Sequence, residues 1–160
     1  MMTPMIWTGP WIRAFGCPIP FAIHSKSNFR RGGASSSTAW RDEQAFRSQL
    51  AALVGSALPA GWDPGDRAVP LAARPVFAVA IVAISRLDTA NLSKSILDAL
   101  EGLVFINDAQ VRYQVATSER RGDPRGLVAV AALDPGVTPA ELAKAGSALL
   151  DAALAAFTAP

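Results

Sequence analysis

Apolar positions along the chain change their period several times, and each change marks an element. Residues 12–21 are mostly apolar and carry Pro18 and Pro20, a pattern that predicts a strand running into a rigid extended segment. The stretch SKSNFRRGGASSS (25–37) is a polar, glycine- and serine-rich loop. From Thr38, a suitable N-cap, a helix is predicted to about Leu58, with Phe46, Leu50, Leu53, Val54 and Leu58 near one face. Residues 59–75 are proline-rich and predict a surface connection within a domain. PVFAVAIVAI (75–84) has no polar position, the mark of a strand buried on both faces.

A helix follows from about Thr89 to Glu101, closed by Gly102, and 104–106 is short and extended. Val111, Tyr113 and Val115 then alternate with Arg112 and Gln114, which predicts a half-buried strand with those three on one face. ERRGDPRG makes a turn, and LVAVAAL is expected to return as the partner of a hairpin. Thr138, Pro139 and Glu141 combine an N-cap, proline at the first helical position and glutamate at the third. They open an alanine-rich helix to about Phe157, with Leu142, Leu149, Leu150, Ala153, Leu154 and Phe157 on one stripe. The order β-α-β-α-β-β-α predicts an α/β fold of the α+β sandwich kind, a mixed sheet with helices packed on it. Length favours one domain over 1–160, with 138–157 an added C-terminal helix.

Composition adds exclusions. The single cysteine, Cys17, rules out an internal disulfide, and a lone thiol fits packing in a reducing cytoplasm. No signal peptide is read, and the longest apolar run is too short to span a bilayer, so a cytoplasmic, membrane-free protein is expected. His24 is the only histidine, which argues against histidine-built metal sites and is best read as an exposed residue beside the loop. Trp7, Trp11, Trp40 and Trp62 are expected to anchor packing. No P-loop, Rossmann glycine run or CxxC occurs, so no nucleotide cofactor is expected. Net charge is only +2 but unevenly placed. Lys26, Arg30 and Arg31 crowd the early loop with Asn28 and Phe29, and Arg120, Arg121 and Arg125 cluster near the late turn. Such patches suit a phosphate-rich partner, and a solvated surface equally.

Candidate chemistry lies in LDTANLSKSILDALEGLVFINDAQV (87–111). On the predicted helix Leu92, Ile96, Ala99, Leu100 and Leu103 share one face, and Lys94, Asp98 and Glu101 share the other with Ala90. Asp88 precedes the first turn, where a carboxylate is favoured. Asp108 arrives after the Gly102 turn and is expected to return beside the helix start. The spacing permits Asp88, Lys94 and Asp108 to face one another. It equally permits a capping aspartate, an exposed Lys94–Asp98 pair and a turn residue.

The stretch resembles the signature of the RusA-type Holliday-junction endonucleases, a D-x-D-N-x-x-K helix start, D-A-L, a glycine turn and D-D-A-Q-[VI]. Asp88, Asn91, Lys94, Asp98, Ala99, Leu100, Gly102, Asp108, Ala109, Gln110 and Val111 stand at the matching intervals. Supporting context, including the S-x-S-N-F-R segment and a W-R-D-x-x-x-F helix, covers most of 12–133. The resemblance implies a homodimeric nuclease cutting branched DNA at four-way junctions in recombination and repair, with Mg2+ (or Mn2+) held by aspartates. It implies Asp88 and Asp108 as metal ligands, Lys94 as the electrostatic partner of the reacting phosphate, and Asn91, Asp98 and Asn107 as supporting residues. Lys26, Asn28, Arg30, Arg31, Arg120 and Arg121 are the candidates for gripping DNA backbone.

Two positions depart from the pattern. Ala90 stands at the second aspartate of D-x-D-N, and Asn107 at the first of the D-D pair. A methyl group coordinates nothing, and an amide oxygen brings no charge. Either Glu101, Glu119 or a DNA phosphate completes the metal shell, or the chain is a catalytically impaired junction-binding protein.

Overall fold

The computed structural model describes residues 5–25 and 35–159. Among them the elements run β1 (Met5–Trp7), β2 (Arg13–Ile19), α1 (Ser35–Ala57), β3 (Val76–Ile84), α2 (Thr89–Leu100), β4 (Val111–Glu119), β5 (Arg125–Leu133) and α3 (Pro139–Thr158). The strands form one mixed sheet in the order β1-β2-β5-β3-β4. β3 and β4 are parallel, and the other neighbours are antiparallel. This is the expected α+β sandwich, with α1 and α2 on one face and α3 on the other.

The period-2 rule assigns each face. In β3, Phe77, Val79, Ile81 and Ala83 join the core under α1 and α2, while Val76, Ala78, Ala80 and Val82 lie beneath α3. Leu142, Ala145, Leu149 and Ala153 of α3 are buried on that second core, so the stripe covers the chain's own sheet. The approach is close at Gly146, where a Cβ would come within 2.4 Å of the Tyr113 ring.

Several expectations are corrected. β4 and β5 are consecutive but do not pair, because β5 inserts between β2 and β3. Its residues after Arg125 are all buried, half facing each core. A strand apolar on both sides needs a central place, whereas alternating β4 suits an edge. β1, too short to show a period, was not expected. Residues 104–106 form no strand; they close a tight turn in which Gly102 N–H donates to Phe105 C=O at 2.7 Å. Gly102 takes the left-handed φ of 84° that such a helix end requires.

Within β4 the register slips between the Phe77–Val111 and Ala78–Tyr113 pairs, leaving Arg112 as an extra residue. The bulge reverses the phase. Val111 packs under α1 and α2, but Tyr113 and Val115 pack under α3, contrary to the single face expected. Gln114, paired with Val79, thereby comes round to the α2 side.

Trp62 anchors the 59–75 connection: its ring stacks on Phe77 and meets Phe15 edge-on, and its Nε1–H donates to Val104 C=O at 2.8 Å. Trp40, expected as an anchor, is exposed. Cys17 is buried, and burial pushes its thiol up to about 11, which leaves it unreactive packing at neutral pH. No helix among the described residues is long and apolar enough to cross a membrane.

Candidate active-site groove

α2 is built to keep one face open. Asp88 caps it: Oδ1 accepts from Asn91 N–H at 2.8 Å and Oδ2 accepts from Asn91 Nδ2–H at 2.9 Å. Such a cap is worth about 1 kcal/mol. Leu92, Ile96, Ala99 and Leu100 bury the inner face. The outer face, with a short turn of the next segment, forms a groove of about 300 Å3 lined by Ala90, Lys94, Asp98, Asp108 and Gln114.

Asp108 is placed by its neighbours. Asn107 Oδ1 accepts from Ala109 N–H at 2.8 Å, the cap of a 3-10 turn over Asp108–Gln110. Gln110 is only 2% exposed, and its amide is fully engaged. Oε1 accepts from Ile106 N–H at 3.0 Å and Asn107 N–H at 3.1 Å. Nε2 donates to the carbonyls of Pro64 at 3.0 Å and Pro75 at 3.2 Å. Gln110 therefore fastens the Asp108 turn to the start of β3. The sequence held the signal, an Asn cap with Gln three residues on.

Asp98 belongs first to α1. Arg47 Nη2 donates to Asp98 Oδ2 at 2.8 Å and also pairs with buried Glu43, whereas Lys94 Nζ lies 3.9 Å from Asp98. The Lys94 side chain is 61% exposed, so its ammonium is open to the groove.

Lys94, Asp98 and Asp108 thus line one groove, and Ala90 with them. Asp88 does not line the groove. It follows β3 at the carboxyl ends of the parallel pair, while Asp108 precedes β4 at their amino ends. The twelve residues of α2, about 18 Å of helix, run between these ends. The expected facing of Asp88 and Asp108 is thus not seen in the groove: Asp108 shares it with Ala90 of the first turn, while Asp88, the cap before that turn, does not line it. Glu101 caps the far end of α2 and Glu119 ends β4, neither lining the groove. Arg120 and Arg121 are exposed just after β4. Lys26, Asn28, Arg30 and Arg31 lie outside the described residues.

Among the described residues, no three of histidine, cysteine, aspartate and glutamate stand close enough to hold a metal ion. The donors present are nonetheless hard oxygens. They fit Mg2+ in its common mode, one or two carboxylates with substrate phosphates supplying the rest.

Residues 23–131 match the family model described as endodeoxyribonuclease RusA. The chain belongs to the RusA endodeoxyribonuclease family. The matched span holds β3, α2, β4 and the whole groove, so the RusA family region and the site coincide, while α3 lies beyond it. A search of curated proteins gives no match.

Proposed function

We propose that this RusA-family chain is a structure-selective endodeoxyribonuclease that cuts four-way DNA junctions as a homodimer, with Mg2+ or Mn2+. The observation that carries the proposal is the open groove that Lys94 and Asp108 both line inside the matched family region. Lys94 offers an exposed ammonium to a phosphodiester and stabilises the charge that builds on it. Asp108, the carboxylate that lines the groove with Lys94, would hold the cation with substrate phosphate. The cation when bound supplies Lewis-acid polarisation and an activated water. Arg47, through Asp98, keeps Lys94 from collapsing onto its own helix. Lys26, Asn28, Arg30, Arg31, Arg120 and Arg121 grip the DNA backbone. Paired cuts across a two-fold junction call for two copies of the site.

The test is incubation with a mobile four-way junction and Mg2+ or Mn2+. Symmetric nicks that vanish in Lys94→Ala and in Asp108→Asn support the proposal. Junction left intact by a folded protein rules out cleavage. Light scattering that shows a monomer while cleavage persists removes the dimer. A second reading, junction binding without turnover, is favoured by Ala90: its methyl lines the groove where a carboxylate would join Asp108. Tight binding with no nick at any metal concentration is its signature.

A further inference from the structure

A second cleft, of about 490 Å3, opens at the carboxyl ends of β3 and β4, away from the groove. His24, Arg86 and Arg120 stand on its rim, and Ile23, Ile84 and Leu87 lie among the apolar residues that line it. Three separate elements are pinned to make it. Ser85 N–H donates to Glu119 C=O at 2.8 Å, extending the parallel β3–β4 register by one step, so that Arg86 and Arg120 follow the joined strand ends and line one cleft. The buried Ser85 hydroxyl accepts from Leu87 N–H at 3.1 Å and fixes the turn that presents Arg86. Across the cleft, the buried Ser95 hydroxyl of α2 donates to His24 C=O and holds the end of the β2 segment over the helix.

The charge is one-sided. Among the described residues no carboxylate lines the cleft, and neither Arg86 nor Arg120 is ion-paired. Asp88, the acid nearest Arg86 in sequence, turns both oxygens to Asn91, and Glu119 and Asp123, near Arg120 in sequence, do not line the cleft. Two exposed guanidiniums that line one cleft without a counter-charge raise its positive potential, and a bound anion relieves that cost. The apolar lining below suits a sugar between phosphates rather than a free ion.

We infer that this cleft is a phosphodiester-binding subsite, gripped by Arg86 and Arg120 with His24 beside them, for a nucleic-acid strand passing the N-terminal end of α2. Its identification with a junction strand rests on the proposed function; the cleft itself does not. It adds Arg86 and His24 to the DNA-contacting set.

The experiment uses the full chain without metal and two fluorescent probes, a tetrathymidylate oligonucleotide and a four-way junction. Arg86→Ala with Arg120→Ala is expected to weaken both by ~10-fold or more and to flatten the salt slope by about two. Lys144→Ala, on α3 across the sheet, is expected to match the wild type. Independently of any variant's folding, the oligonucleotide is expected to shift the Arg86 and Arg120 Nε–Hε resonances of the wild-type protein. Unmoved resonances, or a folded double variant with wild-type affinity and slope for both probes, overturn the subsite. If the wild type ignores junctions but the oligonucleotide still shifts those resonances, the junction reading fails and the subsite stands. If junctions are bound and cut while loss of both arginines changes nothing, the subsite alone fails.

Discussion

Arg47 on α1 holds Asp98 on α2 at 2.8 Å, and the same guanidinium pairs with Glu43, whose side chain is only 3% exposed. One cation thus neutralises two carboxylates and ties the helix of the groove to its neighbour. Truncating it leaves Glu43 buried without that partner. Arg47→Ala is expected to cost about 3 kcal/mol in urea denaturation. The freed Asp98 then draws Lys94, so cleavage should fall at saturating DNA. A variant as stable as wild type contradicts this role.

Ala90 lines the groove with Lys94 and Asp108, two residues after the helix cap. A carboxylate in the first turn is favoured by some tenths of a kcal/mol, roughly offsetting the loss of alanine's helix propensity. Ala90→Asp is expected to fold normally, bind Mg2+ or Mn2+ more tightly by calorimetry and cut at lower metal concentration. Adding Asp108→Asn should abolish the gain. Unchanged metal affinity in the folded variant means that position 90 does not serve the site.

Gln110 makes four hydrogen bonds with one buried amide. Gln110→Leu keeps the bulk and leaves two N–H groups and two carbonyls without it. The expected loss is about 3 kcal/mol in chemical denaturation. Nuclease activity should fall with it, because the Asp108 turn loses its tie to β3. A loss below ~1 kcal/mol would place the turn's support elsewhere.

Cys17 is expected to resist a thiol reagent at pH 8 in the native state and to react on unfolding. Burial raises its pKa from 9.0 to about 11. The unfolded thiol therefore ionises first. Its contribution to stability is whole below pH 9.0 and is lost as pH rises through about 11. Cys17→Ala should lessen the alkaline loss of stability seen in thermal melts. Fast labelling of folded protein would show the site to be open.

Local features were legible and distant ones were not. The apolar face of α2, its Asp88 cap and the Lys94–Asp98 spacing all depend on neighbours within a turn or two. Arg47 lies 51 residues from Asp98, and no periodicity links them. The continuous apolar run of β5 announced burial on both faces, yet a turn between two consecutive strands also suggests a hairpin. Burial won, because only the position between β2 and β3 covers both sides. The bulge at Arg112 carries no glycine or proline to mark it, so Gln114 looked like an ordinary solvent-facing residue. Asp88 and Asp108 appeared convergent because chain spacing does not show that the cap before the first turn stays out of the groove.

The central place of β5 also sets an order of assembly. β2 and β3 never pair with each other; each pairs with β5, which is made after both. A nascent chain ending before residue 125 holds two separate two-stranded ribbons, β1–β2 and β3–β4, with apolar edges awaiting a keystone. Contacts of such long range delay folding until β5 has left the ribosome. The groove residues on α2 and the Asp108 turn come earlier in synthesis, but the sheet that supports them closes last.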